Sequence, residues 1–92
     1  MRLLIAEDDQ VLADALLRTL RNAGYAVDHV ASGSEADAAL ASHEFDVVIL
    51  DLGLPKLHGL EVLRKLRGRG SSVPVLILTA AEIGRASCRE RV

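Results

Sequence analysis

The fold of this chain is decided by the stretch VVILDLGLP at residues 47–55. Its first four residues are all apolar, which is typical of a strand buried on both faces of a parallel sheet. The run ends at Asp51, and Gly53 and Pro55 then interrupt the strand pattern. Open α/β sheets carry their chemistry at the C-terminal ends of strands. We therefore interpret Asp51 as the reactive residue that the remainder of the chain positions.

Strand and helix patterns alternate along the first 80 residues. Short apolar runs predict strands at residues 3–6, 25–30, 47–50 and 75–78. Apolar residues at helical spacing predict helices between them, which begin at Gln10, near Ser32 and at Gly59. The second helix opens with SGSE, the pattern of a capping box. The order βαβαβαβ indicates an α/β fold, with a parallel sheet, right-handed crossovers and helices on both faces.

The composition is that of one small globular domain. The 92 residues are 50% hydrophobic and 26% charged, and the formal net charge is −2. This balance excludes a disordered chain and argues against binding of nucleic acid by bulk electrostatics. The single cysteine excludes an internal disulfide, and no apolar run approaches the ~18 residues of a membrane span. The expected location is the cytoplasm, without membrane contact.

Acidic or hydroxyl side chains follow three of the four predicted strands. Glu7 and Asp8 follow the first, Asp51 ends the third and Thr79 ends the fourth. These groups converge if the three strands are neighbours, because parallel strands end at one edge of the sheet. Clustered carboxylates repel one another, and Mg²⁺ resolves this because it prefers one or two carboxylates together with water and phosphate oxygens. A carboxylate is also an accepted nucleophile for phosphoryl transfer, with Thr79 as a hydrogen-bond donor to a phosphoryl oxygen.

Simpler interpretations of these residues stay open. Asp8 or Asp9 can cap the following helix, Asp51 can begin a turn, and Thr79 can be incidental. His29 is separated in sequence from Glu7, Asp8, Asp51 and Thr79, and we interpret it as a surface or edge residue. The basic residues of the third helix favour a solvated face near the helix C-terminus over a nucleic-acid site.

Four motifs resemble the receiver (phosphoacceptor) domain of two-component response regulators. They are LIAEDD at residues 4–9, DVVILDLGLP at 46–55, GLEVL at 59–63 and PVLILTA at 74–80. The resemblance implies a flavodoxin-like (CheY-like) doubly wound parallel sheet with the strand order 2-1-3-4. It also implies Mg²⁺ bound by Glu7, Asp8, Asp51 and the backbone carbonyl of Gly53.

The same resemblance implies the function. Asp51 would accept a phosphoryl group from a phosphohistidine on a sensor histidine kinase, and Thr79 would be the switch hydroxyl. The domain would be a signalling module and not an enzyme with turnover. The motif LGLP at residues 52–55 resembles that of receivers that precede a winged-helix DNA-binding domain. The parent protein is therefore expected to be a transcription regulator that contacts DNA only through that further domain, and dimerisation of the parent stays open.

The segment AEIGRASCRERV at residues 81–92 departs from the family pattern. It has no apolar stripe and no lysine, whereas the family continues with a fourth helix, a fifth strand that ends in Lys-Pro, and a fifth helix. We expect residues 1–80 to be a truncated receiver with an open edge at the fourth strand and a partly exposed first helix. We expect residues 81–92 to be a weakly ordered, non-family tail, and one hypothesis is an artefactual junction to foreign sequence.

Other functions remain alternatives to the phosphoryl acceptor. A small phosphohydrolase with an aspartyl-phosphate intermediate would usually carry a carboxylate two residues after the nucleophile, where this chain has Gly53. A nucleotide-binding module would carry a glycine-rich loop after the first strand, where this chain has Glu7, Asp8 and Asp9. The chain could also be an inert fragment whose site is incomplete.

Overall fold

The computed structural model describes residues 1–79 and 87–91. The elements are, in chain order, β1 (Arg2–Ala6), α1 (Gln10–Asn22), β2 (Ala26–Val30), α2 (Gly33–Ser42), β3 (Val47–Asp51), α3 (Gly59–Gly68), β4 (Val75–Thr79) and β5 (Ser87–Arg91). The four predicted strands and three predicted helices are confirmed. Each observed strand differs from its predicted range by one residue at one of its two ends. No helix within these described ranges has the length and apolarity that a membrane crossing needs.

One sheet organises the chain, with the strand order β2-β1-β3-β4-β5. Strands β1 to β4 are parallel, and Ile5 in β1 lies opposite His29 in β2 and Ile49 in β3. Asp51, the last residue of β3, lies opposite Leu78 in β4. The flavodoxin-like order 2-1-3-4 is therefore confirmed, and it makes β1, β3 and β4 neighbours whose C-terminal ends share one edge.

The helices cover the two faces of this sheet unequally. On one face, Ala36 of α2 and Val62 and Leu66 of α3 pack on the sheet in one hydrophobic cluster. On the other face, the described residues of α1 contribute partly buried leucines to the second cluster. Val11 and Leu12 of α1 are 80% and 40% exposed, so the predicted partial exposure of the first helix is confirmed.

Strand β5 is not predicted by the sequence pattern. It pairs with β4 in the antiparallel direction, with Leu76 opposite Arg91 and Leu78 opposite Cys88. The expectation of an open β4 edge is therefore wrong where β4 pairs with residues 87–91, and the expectation of a weakly ordered, non-family tail stays a prediction. The physical reason is that an edge strand offers unpaired N–H and C=O groups, which an extended segment satisfies through its backbone even without an apolar stripe. The predictions for residues 80–86 and for Val92 lie outside the described residues.

Side-chain caps fix the helix starts that surround the carboxyl edge of the sheet. The Asp9 carboxylate accepts hydrogen bonds from the backbone N–H groups of Val11 (3.0 Å) and Leu12 (3.2 Å). Asp9 is therefore the N-cap of α1, which was one of the two candidates, and its carboxylate is engaged in this role. Ser32 caps α2 by accepting from the backbone N–H of Glu35 (3.2 Å), as the SGSE pattern predicts.

Candidate functional site

Three carboxylates meet at the C-terminal edge of the sheet. Glu7 and Asp8 follow β1 directly, and Asp51 ends the neighbouring β3. Each side chain offers one oxygen, and these oxygens all lie within 4.8 Å of one another. Glu7 and Asp51 are only 4% and 5% exposed, whereas Asp8 is exposed. The cluster therefore has two desolvated carboxylates at its base and one at its mouth.

Glu7 is the electrostatically perturbed member of this cluster. Its pKa rises from 4.5 to about 7, first because burial removes hydration from the carboxylate. The backbone N–H of Asp9 donates to Glu7 Oε2 over 3.0 Å and opposes this rise in pKa, while the charges of Asp51 and Asp8 add to it. Near neutral pH a cation at the cluster would therefore compete with a proton for Glu7.

The donor set fits a hard divalent cation. All three donors are carboxylate oxygens, which are the ligands that Mg²⁺ prefers. Oxygens bound to one octahedral Mg²⁺ are about 3 to 4 Å apart, because each Mg–O distance is about 2.1 Å. The separation of up to 4.8 Å is close to this range, so small side-chain rotations would bring the three oxygens onto one ion. The exposed Asp8 leaves one side of the cluster open for water or phosphate oxygens.

Two glycines bring helix starts against the loop that follows Asp51. The backbone N–H of Gly53 donates to Asp51 Oδ1 over 3.3 Å, so this loop orients one oxygen of the reactive candidate. A Cβ on Gly59 would lie 2.6 Å from the Asp51 carbonyl oxygen, and one on Gly33 would lie 1.7 Å from the Leu57 carbonyl oxygen. Positions 33 and 59 therefore require glycine for packing, and neither is among the predicted site residues.

Gly53 and Thr79 are placed by the backbone alone. Gly53 lies in an exposed turn two residues after Asp51, and the role of its carbonyl as a metal ligand stays a prediction. Thr79 ends β4, one residue after Leu78, which lies opposite Asp51. Its backbone is thus at the same edge of the sheet as the carboxylates. Its side chain lies outside the described part of the structure, so its role as the switch hydroxyl also stays a prediction.

His29 contacts the site although it is not among the predicted site residues. It lies on the edge strand β2, as expected, but it is half-buried and its Nε2 lies 2.8 Å from the carbonyl oxygen of Glu7. A carbonyl oxygen only accepts, so His29 is the donor. Spacing along the chain carries no signal of this contact, because it joins residues that are 22 positions apart through the pairing of β1 with β2.

Comparison with known sequences identifies relatives of the chain. A family model described as "Response regulator receiver domain" matches residues 3–87. The response regulator protein PmrA of Pseudomonas aeruginosa is 48% identical over 82 residues, which are 89% of this chain and 37% of PmrA. The transcriptional regulatory protein TctD of Salmonella typhimurium is 45% identical over 92 residues, which are 100% of this chain and 39% of TctD. The chain therefore spans well under half the length of these relatives.

A solved structure confirms the fold. The receiver domain of the sensor histidine kinase PA1611 from Pseudomonas aeruginosa has a TM-score of 0.83 and 32% identity, with 90% of this chain and 70% of that chain covered. That domain was solved with a magnesium ion coordinated in its active-site cleft. The family match extends to residue 87, beyond the last motif that ends at residue 80. The predicted boundary between a receiver at 1–80 and a non-family tail at 81–92 stays a prediction.

Proposed function

The chain belongs to the response regulator receiver domain family, and from this premise we propose that Asp51 accepts a phosphoryl group from a sensor histidine kinase in a Mg²⁺-dependent reaction. The observation that carries the proposal is the convergence of Glu7, Asp8 and Asp51 within 4.8 Å at the C-terminal edge of the sheet. Asp51 is the member of this set that ends a central strand, and Gly53 orients one of its oxygens over 3.3 Å.

The reaction is a transfer between two protein side chains. An ionised oxygen of Asp51 attacks the phosphorus of a phosphohistidine, so that a P–O bond forms as the P–N bond breaks and the imidazole leaves. Glu7, Asp8, Asp51 and the carbonyl of Gly53 would hold Mg²⁺, which supplies positive charge next to the phosphoryl oxygens. The caps and glycine contacts around the loop after Asp51 hold the nucleophile in place before the donor arrives.

Thr79 completes the proposed site at the neighbouring strand. Because Leu78 lies opposite Asp51, the next residue of β4 is at the height where a phosphoryl group on Asp51 would lie. A hydroxyl there would donate a hydrogen bond to a phosphoryl oxygen, and we propose this bond as the switch contact of a signal receiver without substrate turnover.

The parent protein is proposed to be a DNA-binding transcriptional regulator of the cytoplasm. Relatives of this chain are named as response regulators and transcriptional regulatory proteins, and the chain spans 37% to 39% of their length. The net charge of −2 gives this segment no basic character of its own. DNA contact would therefore belong to the remainder of the parent, and the partner of this segment would be the kinase.

Phosphorylation of the purified chain tests the proposal. The chain is incubated with acetyl phosphate and Mg²⁺, and intact-mass spectrometry detects one added phosphoryl group that is acid-stable and hydroxylamine-labile. We expect Asp51→Asn to abolish this adduct, Asp8→Asn to reduce it strongly, and removal of Mg²⁺ by chelation to prevent it.

The matched control is Asp14→Asn, which changes an exposed carboxylate on α1. It should take up the phosphoryl group at the rate of the unmodified chain. Equal labelling of Asp51→Asn and Asp14→Asn would contradict the assignment of Asp51. A chain that is folded by circular dichroism and takes no label would contradict the proposal for this chain and favour the inert fragment.

A further inference from the structure

We propose that His29 is a positioning residue for the metal-binding carboxylates, because it holds the peptide group between Glu7 and Asp8 against β2. The inference rests on the proposed function, since it concerns how the chain would hold Mg²⁺. His29 touches neither the metal position nor the phosphoryl group in this role. It acts through the backbone of the first two ligands.

The contact lies where the regular pairing of β1 ends. The register of β1 with β2 ends at Ala6 opposite Val30, and its register with β3 also ends at Ala6. Glu7 is the next residue, so its backbone would be free to turn away from the sheet. Two hydrogen bonds to β2 prevent this: the N–H of Glu7 donates to the Val30 carbonyl over 3.1 Å, and His29 Nε2 donates to the Glu7 carbonyl over 2.8 Å.

The second of these bonds has a direct effect on the ligands. The carbonyl of Glu7 belongs to the same planar peptide unit as the N–H of Asp8. Fixing that carbonyl fixes the rotation of the peptide plane, and this rotation sets the directions in which the Glu7 and Asp8 side chains leave the backbone. The side chain of Glu7 is held from the other end, because its Oε2 accepts from the N–H of Asp9 over 3.0 Å.

The chemistry of imidazole suits this position. The Glu7 carbonyl requires a donor, and Nε2–H is present both in one neutral tautomer and in the imidazolium form. The contact is half-buried, so water competes with it less than at an exposed site. The amide nitrogen of glutamine has a similar reach and also donates, whereas leucine fills the space without a donor. Comparison of the Gln and Leu variants at position 29 therefore separates the effect of the hydrogen bond from the effect of the ring's volume.

Mg²⁺ binding to the full chain, measured by isothermal titration calorimetry, tests this role together with thermal unfolding in the absence of Mg²⁺. We expect His29→Leu to weaken Mg²⁺ binding about three- to tenfold, the worth of one hydrogen bond. We expect His29→Gln to bind Mg²⁺ within about twofold of the unmodified chain, because the glutamine amide keeps a hydrogen-bond donor at this position. His29→Leu should also melt at a lower temperature than His29→Gln, because it leaves the half-buried Glu7 carbonyl without its donor. The control His43→Leu, at an exposed histidine before β3, should leave Mg²⁺ affinity unchanged.

Each other outcome overturns the role. If His29→Leu leaves the Mg²⁺ affinity unchanged, with or without a lower melting temperature, the contact between His29 and Glu7 serves only to close the edge of the sheet. Equal weakening in the Leu and Gln variants would assign the effect to the shape of the ring and not to its donor. If the unmodified chain binds Mg²⁺ and Asp51→Asn does not, such results overturn the role of His29 alone. If the unmodified chain binds no Mg²⁺, the proposed metal site fails together with this role.

Discussion

Gly33 lies so close to Leu57 that a Cβ at position 33 would be 1.7 Å from the Leu57 carbonyl oxygen. The N–H of Gly33 also donates to the carbonyl of Pro55 over 3.0 Å. The first turn of α2 is therefore pressed onto the loop that follows Asp51. Packing between α2 and this loop therefore constrains the loop that carries Gly53, whose N–H donates to Asp51 Oδ1.

Gly33→Ala tests this constraint. The added methyl group has no space against backbone atoms, so the loop or the helix must move. We expect the free energy of unfolding to fall by about 2 to 3 kcal/mol, as in overpacked cores. Chemical denaturation measures this fall, and the rate of labelling by acetyl phosphate should fall more than the stability alone explains because the loop carries Gly53. The control is Gly68→Ala at the end of α3, where nothing lies within 4 Å of the added Cβ. If both variants are equally stable, the close packing at Gly33 is contradicted.

The pKa of Glu7 predicts a pH dependence of stability. In the folded chain this pKa is about 7, above its ordinary value of 4.5, so the folded state binds the proton more tightly than the unfolded state. The contribution of Glu7 to the free energy of unfolding is fully present below pH 4.5 and is lost as the pH rises through 7. We expect a loss on the order of 2 kcal/mol over this interval in the absence of Mg²⁺.

Denaturation at several pH values with and without Mg²⁺ measures this dependence. The reference is Glu7→Gln, which cannot ionise, and the difference between the two proteins isolates Glu7 from the other carboxylates. Mg²⁺ should restore stability above pH 7 in the unmodified chain, since it binds the folded state only and replaces the proton. A difference between the two proteins that is flat from pH 4.5 to 7 would contradict the raised pKa.

The sequence predicts the parts of this molecule that depend on local pattern. Apolar runs locate β1 to β4, and an acid at the end of a buried run identifies Asp51, because burial and strand ends are encoded within a few residues. Contacts between distant elements have no such code. The bond between His29 and Glu7 depends on the strand register, the glycine at position 33 depends on where a loop returns, and β5 pairs through backbone groups that every residue carries.

His58 is a weak N-cap at the start of α3. Its Nδ1 accepts a hydrogen bond from the N–H of Leu60 over 3.1 Å, so an imidazole serves as the N-cap. An aspartate is a stronger cap, because it accepts permanently and its negative charge interacts favourably with the helix dipole. We expect His58→Asp to raise the free energy of unfolding by about 0.5 to 1 kcal/mol at neutral pH.

Thermal unfolding at neutral pH measures the gain. His43→Asp is the control, since His43 lies at the C-terminal end of α2, where a negative charge is unfavourable, and it should not stabilise the chain. If His58→Asp is no more stable than the unmodified chain, aspartate is not a stronger cap at this position.

The composition of β5 predicts that the order of residues 81–92 has little effect on the free energy of unfolding. Arg91 lies opposite Leu76 and Cys88 opposite Leu78, so β5 pairs with β4 without the apolar side chains that a covered strand of this sheet carries. We expect a chain with residues 81–92 in scrambled order to keep the free energy of unfolding within about 0.5 kcal/mol, since backbone pairing is unaffected by the order.

The source DNA tests separately whether residues 81–92 are foreign to the receiver. If the junction after residue 80 or 81 joins a receiver reading frame to foreign sequence, independent reads of the genomic locus should diverge there and continue into a helix with an apolar stripe. Transcripts that carry the codons for AEIGRASCRERV would contradict the junction. A scrambled tail that lowers stability by several kcal/mol would contradict the small effect of residue order, because only specific side-chain packing of residues 81–92 on β4 produces a loss of that size.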